Sequence, residues 1–266
     1  MSLAVPILMY HSVADDPPEA TRTLSVRPSQ MGAHLRFLRD HGFTGLTFTD
    51  LCERVRAGAA LPARPVVLTF DDGYADTHGS ALPLLVEHGF PATVFVTTGW
   101  LRDAGADSAG RPLDRMMGWS QLRELVDSGI EVAAHSHSHP QLDQLDDKAL
   151  DTELRHSAAL LEDRLSTRVS SLAYPFGYSS RRVRKAVATA GYRQAASVAN
   201  AVADVGGGDA FAVPRLTVRR TTSPEVFCRI AYGVEVDRVF RTDRALTRGW
   251  SVVRWSRSRL RGTRCA

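Results

Sequence analysis

The 266-residue chain contains only three cysteines, Cys52, Cys228 and Cys265. Their number is odd and their spacing fits neither a zinc site nor a disulfide framework, so free thiols are expected. No apolar run approaches the roughly 18 residues that a membrane-spanning helix needs. Residues 1–10 have no basic n-region and their apolar run is short, which argues against a secretory signal and makes cytoplasmic residence the expectation. No glycine-rich phosphate loop follows the first predicted strand, which runs into His11-Ser12-Val13 instead. Gly206-Gly207-Gly208 reads as a flexible turn. Histidine is absent after His156.

Apolar content is ample: at 44% hydrophobic residues the chain can bury a full core. Charge is spread unevenly. Residues 238–264 carry nine arginines against one acid, Asp243, a net of +8. The whole chain is +4, so the remainder is −4. The basic character therefore belongs to a C-terminal tail, 238–266, in which Val239, Leu246, Trp250, Val253 and Leu260 fall at helical spacing. Either a solvated basic end or an interfacial helix on an anionic membrane surface fits that pattern. Nucleic acid is not expected, because no recognition module accompanies the arginines.

Short β-branched runs alternate with amphipathic stretches along the body. Strands are predicted at 5–10, 46–48, 66–70, 93–96, 130–134, 171–174, 194–197 and 213–218, and helices at 29–41, 80–88, 120–127, 147–165 and 180–190. Gly42, Gly89, Gly129 and Gly191 are helix stops, each followed by an apolar residue and a strand. Near-continuous apolar strands suit a parallel sheet buried on both faces. Without a phosphate loop, a barrel is favoured over a doubly wound sheet, with function at the C-terminal strand ends. Residues 101–118 lack periodicity and are predicted to form a long loop at that rim.

Two strand ends concentrate chemistry. Leu-Thr-Phe at 68–70 delivers Asp71-Asp72-Gly73-Tyr74, and the run 130–134 delivers His135-Ser136-His137-Ser138-His139-Pro140. Asp-Asp-Gly alone is also an ordinary turn. A carboxylate oxygen with two imidazole nitrogens is a three-ligand metal set that leaves positions open, and the second carboxylate is then spare as a base. Spacing alone does not say which two of the three histidines would serve.

Three ordered motifs resemble the polysaccharide deacetylases of the NodB-homology type (carbohydrate esterase family 4): Thr69-Phe70-Asp71-Asp72-Gly73-Tyr74, His135-Ser136-x-x-His139-Pro140 and Tyr174-Pro175-Phe176-Gly177. The similarity covers about residues 5–218. It implies a distorted (β/α) barrel of about seven parallel strands, here residues 1–237. It also implies Asp72, His135 and His139 as ligands of a divalent metal, zinc by expectation, and Asp71 as the base. Phe176 would contribute an oxyanion N–H, and His137 falls on a variable position. Two departures matter. Many members have an arginine in the third motif, where this chain has Ala173 or Tyr174, and many carry a late histidine as general acid, which this chain lacks. Ile7-Leu8-Met9-Tyr10-His11-Ser12 resembles the opening of the permuted poly-N-acetylglucosamine deacetylase branch, so His11 is the acid candidate and Arg215 the candidate guanidinium for Asp71. Tyr74, Trp119 and Tyr178 are candidate sugar-stacking faces. The expected activity is metal-dependent removal of N-acetyl groups from an N-acetylated carbohydrate. The alternatives are a same-fold amidohydrolase on a small glycoside or non-sugar amide, or an inactive carbohydrate-binding protein with a membrane-associating tail.

Overall fold

The computed structural model describes residues 4–204 and 206–245. In chain order the elements are β1 (Ala4–Val5), β2 (Ile7–Tyr10), α1 (Pro28–Asp40), β3 (Thr44–Leu46), α2 (Phe48–Ala57), β4 (Pro65–Phe70), α3 (Leu82–His88), β5 (Thr93–Val96), α4 (Trp119–Asp127), β6 (Glu131–Ala134), α5 (Asp147–Leu165), β7 (Ser171–Ala173), α6 (Arg181–Thr189), β8 (Gln194–Val198), β9 (Ala203–Asp204), β10 (Val213–Thr217), α7 (Pro224–Ala231) and α8 (Val236–Val239).

Seven strands close a parallel ring in the order β2-β4-β5-β6-β7-β8-β10, and β10 returns to β2 through Leu216↔Leu8. The ring closes because β2 lies directly on β4, from Ile7↔Val67 to Tyr10↔Phe70. β3 is left outside it, paired only with the first half of β4 (Thr44↔Pro65 to Leu46↔Val67). β1 and β9 form a separate antiparallel ribbon. The fold is thus the distorted barrel that the sequence pattern and the family resemblance lead one to expect.

Strand alternation explains the two cores. Every residue of β4 is buried, with Val66 and Leu68 turned to the helices and Val67 to the interior. The interior holds Ile7, Val67 and Phe95 on one side and the small Ala133, Ala173 and Ala196 on the other, so the cross-section is uneven. Phe48 and Leu51 of α2 complete this inner cluster.

Helix α2 is a correction to the reading of 46–48 as strand. The strand stops at Leu46, and the Thr47 side chain accepts from the Asp50 N–H at 3.1 Å, an N-cap that starts a helix at Phe48. The Phe48 N–H donates to Thr93 Oγ1 (2.8 Å), Thr49 Oγ1 donates to Glu131 Oε1, and Gln194 Nε2 donates to Ser171 Oγ (2.8 Å). These bonds seal the N-terminal end of the barrel with a satisfied polar network. α7 and α8 were also missed by periodicity, since they have only 8 and 4 residues.

The four expected helix stops, Gly42, Gly89, Gly129 and Gly191, all have positive φ. The loop 101–118 is pinned to the Asp-Asp-Gly-Tyr segment. Ala75 N–H donates to Arg115 O (2.8 Å), Met117 N–H donates to Gly73 O (3.1 Å), and Tyr74 bridges Met116. The expected tail begins as part of the body: Phe240 is buried and Arg219 holds Asp243 at 2.5 Å. Residues 246–266, with Leu246, Trp250, Val253 and Leu260, lie outside the described residues. Among the described residues no helix is long and apolar enough to cross a membrane.

Phe95 is fully buried in the inner core, edge-on to Phe48 at 5.6 Å. Phe95→Ala is expected to lose about 3–5 kcal/mol of stability, the range for removing a large buried ring. A denaturant midpoint within error of the parent chain would show that the interior collapses around the missing ring.

Candidate active site

Parallel strands all end at one rim, and the chemical residues collect there. His11 follows β2, Asp71 and Asp72 follow β4, His135–His139 follow β6, Tyr174–Gly177 follow β7, and Arg215 rises from β10. A cavity of about 160 Å³ opens among His11, Asp71, Asp72, His135, His139 and Phe176. It is smaller than the roughly 300–1,000 Å³ of pockets that swallow a drug-sized ligand. A cavity of about 250 Å³ lies at the opposite end, beside Leu51, Cys52 and Val213, and no histidine lines it.

Asp72 Oδ1 lies 3.4 Å from His135 Nε2 and 3.3 Å from His139 Nε2, and all three ligand atoms lie within 4.8 Å of one another. Asp72 Oδ1 is buried and makes no hydrogen bond. His135 Nδ1 donates to the Ala173 carbonyl (2.9 Å), which leaves Nε2 as the nitrogen turned to Asp72; burial lowers the pKa of the ring, but Asp72 and Asp71 outweigh it and raise it. Tetrahedral zinc with ligand bonds of about 2.0–2.1 Å holds its ligand atoms about 3.3 Å apart, so the cluster fits such an ion. Burial pushes the Asp72 carboxyl up, but contacts with His135 and His139 outweigh it and hold the group well below the usual carboxylate range.

The backbone bends to make this possible. Asp72 (φ 75°), Ser136 (φ 64°), His139 (φ 61°) and Phe176 (φ 59°) are all left-handed without being glycine. Each such residue costs about 1–3 kcal/mol, and their concentration at one rim marks a functional site. Ser136 Oγ accepts from the His139 N–H at 3.1 Å and closes the turn between the two histidines. Gly177 (φ 73°) is held to glycine by space as well: a Cβ there would lie 2.3 Å from Val198 Cβ.

Asp71 is locked by Arg215. NH1 reaches Oδ1 at 2.6 Å and NH2 reaches Oδ2 at 2.7 Å, with both side chains at most 3% exposed. Arg215 also donates to Thr69 Oγ1 (3.2 Å) and Ser197 O (3.4 Å), and lies over the Phe95 ring. Burial alone would raise the Asp71 pKa. Arg215, helped by His135 and His11, turns the balance and holds it below its ordinary value. For His11 the balance goes the other way. Burial lowers its pKa against the pull of Asp71 and Asp72, and its Nδ1 makes no hydrogen bond.

Other sequence candidates fall into two groups. Tyr74 lines the cavity and is nearly buried; Phe176 lines it and is 51% exposed at its mouth. Tyr178 stacks on Phe176 at 6.2 Å, and Trp119 lies beneath Arg164 at the start of α4, away from the cavity lining. His137 turns away from the cluster: its Nδ1 meets Thr98 Oγ1 at 2.9 Å and its ring meets His156 at 4.5 Å. Trp100 escaped the sequence reading. Its ring lies 4.7 Å from His139, and Phe176 lies 4.7 Å from the same imidazole. The signal was available, since Trp100 closely follows the end of β5.

The model of the polysaccharide deacetylase family matches residues 58–195, just over half of the chain. The chain belongs to the polysaccharide deacetylase family. Among curated relatives, a Bacillus subtilis (strain 168) protein, YxkH, whose name assigns it provisionally to the same family, is 27% identical over 71% of this chain. The poly-beta-1,6-N-acetyl-D-glucosamine N-deacetylase of Escherichia coli (strain K12) is 31% identical over 50% of this chain. The matched regions span 62% of the first relative's length and 20% of the second's. Among solved structures, the Streptococcus pyogenes deacetylase PplD in complex with acetate superposes with a TM-score of 0.78 at 24% identity, over 87% of this chain and 99% of that one, a likeness of fold.

Arg215→Met leaves the Asp71 charge buried and alone. Breaking one side of such a pair destabilises by about 3–5 kcal/mol. Because Arg215 lowers the Asp71 pKa, its loss raises it, so Asp71 is protonated at a higher pH. The acid limb of the kcat/KM profile is therefore expected to move to higher pH together with a lower melting temperature. A destabilised variant with an unmoved acid limb would separate Asp71 ionisation from turnover.

Proposed function

We propose that this chain is a metal-dependent N-deacetylase that removes acetyl groups from an N-acetylglucosamine-type polysaccharide or oligosaccharide. The observation that carries the reading is the turn of Asp72 Oδ1, His135 Nε2 and His139 Nε2 toward one centre beside the Arg215-locked Asp71, with His11 on the same cavity. The curated relative named for poly-beta-1,6-N-acetyl-D-glucosamine supports the substrate class.

In this reading Asp72, His135 and His139 would hold the divalent ion, with zinc the proposed metal. When bound, the ion supplies Lewis-acid polarisation of a water and of the acetamide carbonyl. Asp71, kept ionised by Arg215, takes the proton that the attacking water loses, and the water oxygen bonds to the carbonyl carbon. The Phe176 N–H, carried on the left-handed turn at the cavity mouth, donates to the oxygen that gains charge. His11 delivers a proton to the nitrogen as the C–N bond breaks, and acetate and a free amino sugar leave. Burial lowers the pKa of His11, so it takes that proton from solvent during turnover, as negative charge grows on the substrate beside it, and Asp71 afterwards returns its own proton to solvent. Tyr74, Phe176 and Tyr178 offer apolar surface to the sugar; Trp119, outside the cavity, would act only through a longer chain. The arginines of 238–266 are proposed to meet an anionic surface, each contributing about 1 kcal/mol near a charged membrane.

Acetate release from N-acetylglucosamine oligomers of chitin-type and β-1,6 linkage, with and without zinc, tests the reading. Release is expected only with metal. Asp71→Asn is expected to lose about 10²–10⁴-fold while binding zinc like the parent, the usual share of a general base. Zinc-dependent release from a non-sugar amide alone, with every oligomer inert, would replace the carbohydrate reading.

His11→Ala separates acid from base. An acetamide leaves as a poor amine and needs the proton, whereas an activated acetate ester does not. The expected outcome is a large loss on the acetamide and a small one on the ester, measured on metal-loaded protein. Equal losses on both would remove His11 from the acid role.

A further inference from the structure

Glu153 lies in the middle of α5, and its carboxylate reaches under the loop that carries the histidines. Oε2 accepts from the backbone N–H of both His137 and Ser138 at 2.8 Å, and Oε1 accepts from the Ser138 hydroxyl. Three bonds from one ionised carboxylate to two successive residues form a clamp, and charge-assisted bonds of this kind are about twice as strong as neutral ones. The clamped residues sit between His135 and His139. Thr98 and Gly99 hold the outer side of the same loop, through their N–H groups on Ser136 O (3.4 Å) and His137 O (2.8 Å). Without Glu153, the N–H groups of His137 and Ser138 lose the one acceptor they have among the described residues.

We propose that Glu153 is a positioning residue for the two histidine ligands: it fixes the left-handed loop so that His135 Nε2 and His139 Nε2 face Asp72 Oδ1 before a cation arrives. It touches neither the cavity nor the ligand atoms. Its action passes through the loop backbone, and α5 supplies rigidity because Leu150, Leu154 and Leu161 anchor the helix in the core. The clamp also explains the direction of His137. With its N–H held from below and Nδ1 on Thr98, its ring turns to His156 on the next turn of α5 and away from Asp72. Partners behind the ligands of a metal site commonly set affinity by 10–100-fold, because a ligand free to wander must be ordered when the ion binds.

The inference rests on Asp72, His135 and His139 being metal ligands, and the experiment separates the two. The zinc dissociation constant of the full chain is measured by competition with a chromophoric chelator, alongside the visible spectrum of the cobalt-loaded protein. Glu153→Ala is expected to raise the constant about 10–100-fold and to alter the cobalt spectrum. Glu153→Gln, which keeps an oxygen acceptor and loses the charge, should lose less. Asp151→Ala, which removes an exposed ion pair with Arg155 on the same helix, should match the parent. If Glu153→Ala does not fold, Glu153→Gln decides alone: weakened zinc binding supports the clamp and parental affinity overturns it. Parental affinity in Glu153→Ala, or an equal loss in Asp151→Ala, overturns the proposal while leaving the ligand set intact. A parent chain that binds no zinc overturns the ligand reading itself.

Discussion

The buried pair of Arg215 and Asp71 is the interaction around which the rim is built. An unpaired carboxylate at that depth would protonate, and an unpaired guanidinium would draw in water. Together, joined by two short parallel bonds, they remain charged in the core. Their union needs β4 and β10 on either side of β2, which is the arrangement that closes the barrel. Ring closure and the charge state of Asp71 are therefore one constraint.

From that pair the rest follows outward. Asp71 points to Arg215, and the neighbouring Asp72 turns through a left-handed conformation to face the histidines. The histidine loop needs two further left-handed residues, Ser136 and His139, to bring Nε2 atoms from both ends to one carboxylate oxygen. Such a loop does not hold itself. Ser136 closes it from within, Trp100 and Phe176 flank His139, and Glu153 grips it from the helix behind. The strain is supported by a helix and two strand ends.

A small cavity at the mouth of a packed barrel also bears on substrate. The interior is filled by Phe95, Val67 and three alanines, so nothing passes down the axis. The cavity beside the carboxylates opens at the rim, where Phe176 stands half exposed.

The strand ends and the groups they carry were legible in the residues. Apolar runs at 66–70 and 130–134 give buried strands in any parallel packing, so the groups that follow them must reach one end of the sheet. The glycine stops and the barrel were legible for the same reason: backbone and burial preferences act locally and repeat. Helix α2 was lost because its first residue, Phe48, reads equally as the end of a strand; only the Thr47 cap, and a hydrogen bond to Thr93 some 45 residues on, decide for helix. The family resemblance set His137 apart from the two expected ligands, but the direction its ring takes, which tryptophan backs the site and which glutamate clamps the loop were decided by tertiary structure. Each depends on elements distant in sequence: Thr98 and His156 for His137, the end of β5 for Trp100, and the packing of α5 for Glu153. A sequence names the groups available at each strand end, whereas the directions of side chains on a strained loop are fixed only when the surrounding elements close around it.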